Sequence, residues 1–400
     1  MADKAKKILI ITTAGGFLPQ FEMNDVKILT EQGYQIHYAS NFDNPVYEMD
    51  IDMLEKMGIK LHPISIPKSP VHIWHGIKAF CEIISIIRQE RITALHCHNP
   101  MGGVLGRLAA FVCGAERLYV IYTAHGFHFY KGAPLLNWLL FYPAEWILAR
   151  VTDCLVTINR EDALRAEKFL HGRLRTAFQI PGVGVDTSKF VPNRDTRRQM
   201  RHQLQIAEKT FYLLSVGEVN RNKNHEVIIR ALAELKDPAI FYGICGRGNR
   251  RGYLEKLAKK LDVEKQVKFY GFRKDIPQML QAADCFAFPS KREGLGIAAV
   301  EAMAAGLPLI TSDCRGTREY MEDGVTGYVC GSKKAAAYAK LIQRMKESPE
   351  RRREMSDACR SVAESFAIKK TDKIMRRIYE QLSIHSIHME SKKCIGEGKA

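Results

Sequence analysis

The sequence predicts an α/β protein made of two successive halves, each with its own parallel sheet. Apolar, β-branched runs at 7–13 and 211–217 each lead into a loop containing glycine and then into a segment with helical spacing. This order recurs along both halves, as it does in Rossmann-like sheets. The stretch 181–190 contains proline and glycines and is typical of a hinge. We therefore expect domains over 1–182 and 190–365, followed by a final helix near 366–385.

The composition supports two packed domains and no membrane-spanning segment. Of the 400 residues, 46% are hydrophobic, which is enough for two cores. The ten cysteines are scattered without a CxxC pair, and because lysines lead straight into the first apolar run we expect no signal peptide. No uncharged apolar run reaches about 18 residues, the length that a spanning helix needs. These features predict free thiols in a reducing cytoplasm.

The net charge of +16 is concentrated in the second half of the chain. Residues 1–180 hold 19 basic and 17 acidic side chains, whereas residues 181–400 hold 41 and 27. Nucleic acid is one candidate partner for this surplus, but the basic residues are dispersed and show neither zinc-finger spacing nor an RNP-type motif. A nucleotide diphosphate, an anionic membrane surface or simply solvated surface cations explain the charge as well.

The first predicted strand ends at a pair of glycines, Gly15 and Gly16, and a predicted helix over 21–32 follows. Glycine at the carboxyl end of a parallel strand lets a ligand approach the backbone closely, which makes Gly16 a candidate ligand contact. The segment lacks a complete GxGxxG, so we do not expect NAD.

Histidines follow two other strands predicted in the first half. His96 and His98 alternate on one strand face, and His125 and His128 come after the strand at 119–123. The four could be drawn as a metal site, but no acidic or cysteine partner stands at ligand spacing, and we expect no metal. Histidines at strand ends of a doubly wound sheet more often line a ligand cleft.

Two further segments of this half are strongly apolar. Residues 71–91 predict an amphipathic helix, and residues 134–150 predict a helix pair whose apolar side chains pack in the core. A membrane-touching or acceptor-lipid surface is the alternative for 134–150. The apolar side predicted for 71–91 carries Ile73, Phe80, Ile84 and Ile87. We expect the strand at 153–158 to be the last of this half.

The second half contains an element suited to an anion and to sugar hydroxyls. A strand ending at Phe288 is followed by a loop with two glycines and a helix predicted over 297–305, so free amides of a helix N-terminus face the loop. Glu293 in the loop and Glu301 in the helix add two carboxylates, which are poor phosphate ligands but good acceptors for hydroxyls. Arg221 and Lys223, in the loop after the strand at 211–217, are candidate cations for a diphosphate.

The string PSxxEGxGxxxxEAMAxGxP at 289–308, followed by Asp313-x-Arg315-Gly316, resembles the donor-site signature of family 4 retaining glycosyltransferases. HCHNPMGG at 96–103 and YTAHGFHFYKGAP at 122–134 resemble the bacterial capsule and exopolysaccharide subgroup of that family. The resemblance covers about residues 7–380. It implies two Rossmann-like domains facing each other across a cleft (the GT-B fold), with the last helix crossing back to the first domain.

The resemblance also implies roles for particular residues. His125 and Glu293 would contact the transferred sugar in the catalytic site, and Glu301 would hold the ribose. Glu218 stands where the family has an arginine, so Arg221 would have to supply that charge beside Lys223. The diphosphate would lie on the amides of Gly294, Leu295, Gly296 and Ile297, the base beside Phe272 and Arg273, and the acceptor beside His98 and Asn99.

The implied activity is transfer of a sugar from a nucleotide sugar, most simply a UDP-sugar, with retention of configuration. The acceptor would be a polyprenyl-diphosphate-linked saccharide in cell-surface polysaccharide synthesis. The enzyme would be cytoplasmic and peripherally bound to the anionic inner face of the membrane, and it would need no metal. A non-catalytic sugar-nucleotide-binding regulator or scaffold, favoured by the Glu218 departure, and a nucleic-acid binder, based on charge alone, stay open as alternatives.

Overall fold

The computed structural model describes residues 6–43, 46–114, 118–171, 174, 176–331 and 333–397, with side chains described as far as residue 382. The chain divides into two compact units. The first comprises the chain up to Val183 together with the residues from Lys369 onward, and the second runs from Gly184 to Ile368. Each unit contains one parallel sheet with helices between its strands, which confirms the predicted fold class.

The first unit has a seven-stranded parallel sheet. Its strands are β1 (Lys7–Ile11), β2 (Gln35–Ser40), β3 (Lys60–Pro63), β4 (Ala94–His98), β5 (Tyr119–Ala124), β6 (Cys154–Thr157) and β7 (Thr176–Gln179). Its helices are α1 (Met23–Glu31), α2 (Ile51–Lys56), α3 (Ile73–Gln89), α4 (Pro100–Val112), α5 (Leu135–Leu148) and α6 (Arg160–Ala166). A short π-helix, Leu18–Glu22, precedes α1.

The order of these strands is β3-β2-β1-β4-β5-β6-β7. The chain therefore leaves β1 toward β2 on one side and later returns to β4 on the other side. In a parallel sheet, ligands bind outside the carboxyl ends of the strands at such a switch point. Glycines of α4 permit close packing there, because a Cβ on Gly102 would lie 3.1 Å from the backbone oxygen of Ile11.

The second unit has a six-stranded parallel sheet. Its strands are β8 (Phe211–Val216), β9 (Ile240–Cys245), β10 (Val267–Gly271), β11 (Cys285–Phe288), β12 (Leu309–Ser312) and β13 (Gly327–Cys330). Its helices are α7 (Arg194–Gln203), α8 (His225–Leu235), α9 (Arg251–Lys260), α10 (Ile276–Ala282), α11 (Ile297–Ala304), α12 (Ala335–Glu347) and α13 (Pro349–Ala363). The strand order is β10-β9-β8-β11-β12-β13, so the switch point lies between β8 and β11.

The last helix, α14 (Ile368–Glu397), returns the chain to the first unit. Tyr379 on this helix is fully buried, and its hydroxyl bonds with side chains of α1 and β4. The helix continues beyond the predicted end near 385. It extends to Glu397, and residues 398–400 lie outside the described part of the chain.

The structure corrects three further predictions in the first unit. The strand at 154–157 is not the last of its sheet, because β7 pairs with it in parallel. On α3, Ile87 is buried and Phe80 and Ile84 pack partly buried against the core, as predicted, but Ile73 is 66% exposed. Gly76, Ala79 and Ile83 complete the buried side. Ile73 is the first residue of the helix and precedes the first buried position, Gly76. Residues 134–150 form one helix with an internal proline rather than a helix pair.

The prediction that 134–150 packs in the core is wrong for most of its leucines. Trp138, Phe141 and Tyr142 pack against the core of the first unit, because they lie on the side of α5 that meets it. Four leucines point away from that core and are 58–73% exposed: Leu135, Leu136, Leu139 and Leu140. Among the described residues, no helix combines the length and the apolar character that crossing a membrane would require.

Candidate active site

The second unit presents a loop at the carboxyl end of β11, which we call the donor loop (residues 289–296). Gly296 ends the loop with φ +93°, and a Cβ there would lie 2.7 Å from the Phe288 ring. Both facts require glycine at this position. Helix α11 begins at the next residue, Ile297, so the amides of its first turn lack helical partners and carry the positive end of the helix dipole.

A buried ion pair ties this loop to the loop after β8. The ammonium of Lys223 lies 2.8 Å from Oε1 of Glu293, and both side chains are less than one fifth exposed. The Lys223 ammonium also lies 4.9 Å from the centre of the Phe288 ring. Asn222 adds two bonds between the loops, because its side-chain amide donates to the carbonyl of Arg292 and its carbonyl accepts from Lys291. The two loops therefore form one surface at the switch point.

Glu218, which stands where the family has an arginine, forms a hydrogen bond within its own loop. It is exposed and accepts a hydrogen bond at 2.9 Å from the side chain of Asn220. The Asn220 side-chain oxygen in turn accepts from the amides of Asn222 and Lys223. Arg221 is exposed, and within the described chain no carboxylate pairs with it. The arrangement leaves Arg221 available to an anion.

The other donor-site candidates of the second unit are less closely grouped. Glu301 lies one turn into α11, and burial raises its pKa to about 7. Phe272 is 44% exposed, with the guanidinium of Arg247 5.5 Å from its ring centre. Arg273 forms a two-bond ion pair with Asp275, so its charge is already partly neutralised.

Sequence reasoning gave no role to three residues that pack against the donor loop. Arg315 is buried, and its Nε donates to the Glu293 carbonyl at 3.4 Å. A Cβ on Gly316 would lie 2.9 Å from the Cβ of Glu293. The hydroxyl of Tyr320 is buried without a hydrogen-bond partner among the described residues. The motif Asp313-x-Arg315-Gly316 could have indicated this contact, because it closely follows the family signature at 289–308 in the sequence.

The first unit contains a cluster of buried histidines and carboxylates at its own switch point, which we call the histidine cluster (Glu22, Asp25, His96, His98 and His125). His96 and His98 share a face of β4, with ring centres 4.0 Å apart. Nδ1 of His98 lies 3.1 Å from Nε2 of His125. Oε1 of Glu22 lies 3.5 Å from the former nitrogen and 3.6 Å from the latter.

Glu22 brings an acidic side chain to the histidines, for which the sequence offered no acidic partner at ligand spacing. It is the last residue of the π-helix that precedes α1, and its carboxylate lies beside the rings of His98 and His125. Glu22 is 76 residues from His98 in sequence, so no ligand spacing could indicate it. His128, the fourth histidine of the predicted group, lies against Phe141 instead, with ring centres 4.7 Å apart.

A hydrogen-bonded chain supports the cluster from behind. Asp25 accepts a hydrogen bond at 2.7 Å from the hydroxyl of Tyr379, which lies 2.9 Å from Nδ1 of His96. Nε2 of His96 lies 2.8 Å from the hydroxyl of Thr123. Both nitrogens of His96 therefore have partners, so this histidine positions its neighbours.

Burial sets the charge of the cluster. Desolvation lowers the pKa of His125 to about 4 and that of His96 to about 3, and it lowers the pKa of His98 as well. Desolvation and the nearby carboxylate of Asp25 raise the pKa of Glu22 well above its usual range. At neutral pH the imidazoles are therefore uncharged, with lone pairs available to a hydroxyl or a cation.

The remaining candidates of the first unit lie around this cluster. A Cβ on Gly16 would lie 2.3 Å from the carbonyl oxygen of Tyr47, so glycine is required there by the packing of the protein itself. Asn99 has φ +62° and caps α4 directly after His98. The ring of Phe17 lies 5.0 Å from that of His125 and covers part of the cluster.

Comparison with known proteins identifies the class. Residues 196–362 match the family model for glycosyl transferases group 1, and residues 7–159 match the model for glycosyl transferase 4-like domains. EpsD of Bacillus subtilis (strain 168), which is named as a glycosyltransferase, is 36% identical over 377 residues, covering 94% of this chain and 96% of EpsD. The chain therefore belongs to this glycosyltransferase family, which confirms the resemblance at the level of the family and makes the protein an enzyme.

Two other proteins extend the comparison. An Escherichia coli enzyme named UDP-Gal:alpha-D-GlcNAc-diphosphoundecaprenol alpha-1,3-galactosyltransferase is 27% identical over 258 residues, 63% of this chain and 66% of that enzyme. The crystal structure of Anabaena HepE in complex with UDP and glucose superposes with a TM-score of 0.75 at 21% identity, covering 94% of this chain and 99% of HepE. The structural likeness shows that the two chains share their fold.

Proposed function

We propose that the protein transfers a sugar from a UDP-sugar to a polyprenyl-diphosphate-linked saccharide in the synthesis of a cell-surface polysaccharide. The names of two relatives support the two substrate classes: the Escherichia coli relative is named for UDP-Gal and for a diphosphoundecaprenol acceptor, and HepE was solved with UDP. The donor loop supplies the physical basis, because it joins a helix N-terminus to a buried lysine.

The observation that carries the proposal is the contact between Lys223 and Glu293, which lie 2.8 Å apart, with Glu293 in the loop that leads into the N-terminus of α11. A diphosphate would compete with Glu293 for the lysine ammonium, since both are anionic acceptors. The released carboxylate would then accept hydroxyls of the transferred sugar. Glu301, one turn along α11, would accept the ribose hydroxyls, and Phe272 with Arg273 would border the base.

The histidine cluster would serve the sugar and acceptor side of the reaction. His125 is the most exposed histidine of the group, at 21% of its side chain, and it would contact the transferred sugar. His98 and Asn99 would border the acceptor. Because His125 is neutral, it would bind a hydroxyl without attracting the diphosphate away from the donor loop.

The mechanism we propose retains the anomeric configuration by a front-face route. The leaving diphosphate takes the proton of the incoming hydroxyl, while the α11 amides, Lys223 and Arg221 stabilise its charge. Glu293 is paired with Lys223 before the donor binds and packs against Gly316, and once released it would serve as a hydrogen-bond acceptor rather than as a covalent nucleophile.

Turnover tests the proposal directly. The full-length protein would be mixed with a panel of UDP-sugars and a polyprenyl-diphosphate-linked saccharide, and products would be followed by mass spectrometry. We expect one UDP-sugar to extend the acceptor by one sugar, with the donor's anomeric configuration kept in the product. UDP binding without transfer to any lipid-linked acceptor in the panel would instead contradict the proposed acceptor class.

Membrane contact is the second part of the proposal, and we place the enzyme peripherally on the inner face of the cytoplasmic membrane. Its basis is a set of exposed apolar side chains on α5 and near the start of α3, where Trp74 is 81% exposed. Such side chains lose water when they enter a lipid interface. Basic residues of this +16 chain would add attraction to anionic headgroups.

Vesicle flotation tests this contact. We expect binding to anionic vesicles that weakens as salt rises, because exposed charges are screened within about 8 Å at physiological ionic strength. Leu136→Glu with Leu140→Glu should weaken binding about tenfold or more, since each buried leucine contributes about 1.5–3 kcal/mol. Val191→Glu is the control, because Val191 is 58% exposed in the second unit. Equal flotation of all variants would contradict the assignment to α5.

A further inference from the structure

We infer that a groove between α5 and α6 of the first unit binds the polyprenyl chain of the acceptor, an inference that rests on the proposed function. The groove has a volume of about 590 Å³. Sites for small molecules usually measure about 300–1,000 Å³ and have mostly apolar and aromatic walls with a few polar groups. The apolar walls of this groove are formed by Trp138, Leu139, Tyr142 and Pro143 of α5 and by Leu164 of α6.

Aromatic packing and an ion pair hold the walls of the groove in place. The ring centre of Tyr142 lies 5.2 Å from that of Phe169, which is buried in the core. On the other wall, the guanidinium of Arg165 lies 5.1 Å from the centre of the Trp138 ring. An ion pair of 2.6 Å with Glu161 restrains that guanidinium. The groove is therefore preformed, as sites for small molecules usually are.

Two leucines that line the groove keep more than half of their surface in water. Leu139 is 64% exposed and Leu164 is 53% exposed. Covering them is favourable because apolar surface then leaves water. A bilayer would cover the outward leucines of α5 but would not fill a concave groove, whereas a single hydrocarbon chain would. The geometry therefore favours one chain, which would enter from the membrane contact proposed for α5.

Hydrogen bonds join the groove to the segment that follows His125. The carboxylate of Glu161, which lines the groove, accepts a hydrogen bond at 2.7 Å from the amide of Lys131. Asp162, the next residue of α6, accepts one at 3.1 Å from the amide of Phe127. A chain in the groove would therefore have its head group beside the segment that carries the proposed sugar contact.

The charges around the groove suit an anionic head group. Arg165 shares its charge with Glu161, so two lysines provide the positive surplus. Lys131 is exposed where the groove meets the segment after His125, and Lys168 is exposed on the groove wall. Neither ammonium forms an ion pair with another described residue. A polyprenyl diphosphate supplies both an apolar chain and an anion for these cations, whereas a neutral lipid would supply only the chain.

The experiment is an isothermal titration of the full-length protein with farnesyl diphosphate, a soluble polyprenyl diphosphate, in the absence of membranes and donor. We expect one molecule to bind per chain. Leu164→Glu should weaken this binding about tenfold or more, because a carboxylate would replace part of the apolar wall. Leu108→Glu is the matched control, since Leu108 is a 39% exposed leucine of α4 outside the groove.

A second probe tests whether the chain or the head group is recognised. Dimethylallyl diphosphate has the same head group on a single isoprene unit, so it buries less apolar surface and should bind about tenfold more weakly or worse. The donor loop is another place for a diphosphate, so Lys223→Ala is titrated as well. Its affinity for farnesyl diphosphate should equal that of the wild type.

Four outcomes would each overturn the inference: no saturable binding, equal affinity of Leu164→Glu and Leu108→Glu, equal affinity for the two diphosphates, or weaker binding of farnesyl diphosphate by Lys223→Ala. If Leu164→Glu melts early, Leu139→Glu carries the test, since Leu139 is the more exposed of the two. The titration involves no sugar transfer. Transfer by a protein that does not bind farnesyl diphosphate would therefore overturn the groove alone, and binding without transfer would contradict the proposed function alone.

Discussion

The donor loop and the histidine cluster occupy equivalent places in their two sheets but differ in charge. The donor loop keeps a charged pair, Lys223 with Glu293, and adds the positive end of a helix. In the histidine cluster, burial leaves the imidazoles of His98 and His125 neutral. A charged surface suits a diphosphate, whereas neutral imidazoles suit hydroxyls or a cation. The same sheet topology therefore supports two kinds of binding, and the loop residues decide which.

The largest expected effect is on chemistry. We predict that His125→Ala and Glu293→Gln each lower kcat by about 10² or more, the scale for losing a transition-state contact. UDP affinity should stay nearly unchanged in His125→Ala, because UDP lacks the sugar that His125 is proposed to contact. It should not fall in Glu293→Gln, which removes the carboxylate that competes with the diphosphate for Lys223. Steady-state kinetics and UDP titration on the same variants measure both quantities. A kcat within a few-fold of wild type, or a loss of activity that follows a lower melting temperature, would contradict these roles.

The next effect is on donor binding. Lys223→Ala should weaken UDP binding by about 1.5–3 kcal/mol, because it removes one charge-assisted contact with the diphosphate. Isothermal titration measures this directly. Lys265→Ala serves as control, since Lys265 is an exposed lysine of the same unit outside the donor loop. An equal loss in both variants would mean that UDP responds to net charge rather than to the Lys223 site.

A smaller effect should appear with pH. Glu301 has a pKa near 7 because it is buried, and its ionised form accepts ribose hydroxyls more strongly. UDP affinity should therefore rise from pH 6 to pH 8, by up to about tenfold, as the ionised fraction grows. Glu301→Gln should bind UDP more weakly at pH 8 and lose this part of the pH dependence, while the titration of UDP itself remains in both proteins. Identical pH profiles of UDP affinity for the two proteins would contradict the placement of Glu301 in the UDP site.

Stability gives an independent check on Glu301. Burial raises its folded-state pKa above the ordinary value of 4.5, so ionising it costs folding free energy as pH rises from about 4.5 to 7. The melting temperature of Glu301→Gln minus that of the wild type should therefore be larger at pH 8 than at pH 5. A constant difference between the two proteins would show that the carboxyl is not desolvated.

The donor loop could be predicted from sequence because its signals are local. Gly296 was expected to permit a tight turn, and its φ of +93° shows why a side chain would be strained there. The helix predicted from Ile297 begins at that residue. Strand, loop, glycine and helix follow one another within twenty residues, so short-range preferences determine the element.

The histidine cluster could be predicted only in part, because its members come from distant segments. His96 and His98 share a strand face, which alternation predicts. Glu22 joins them through a π-helix, and Tyr379 arrives on the last helix, 283 residues after His96. The leucines of α5 show a further limit of prediction from the sequence. A helix that is apolar on all sides does not reveal which side will face the core.

The central claim is that the donor loop binds the diphosphate while the histidine cluster serves the sugar. Its most direct test is a UDP titration of Lys223→Ala beside His125→Ala. The account predicts that Lys223→Ala loses roughly tenfold or more in UDP affinity, the lower end of the cost of one charge-assisted contact. It predicts that His125→Ala binds UDP as the wild type does while turning over far more slowly. Unchanged UDP binding by Lys223→Ala, together with a large loss in His125→Ala, would contradict the account.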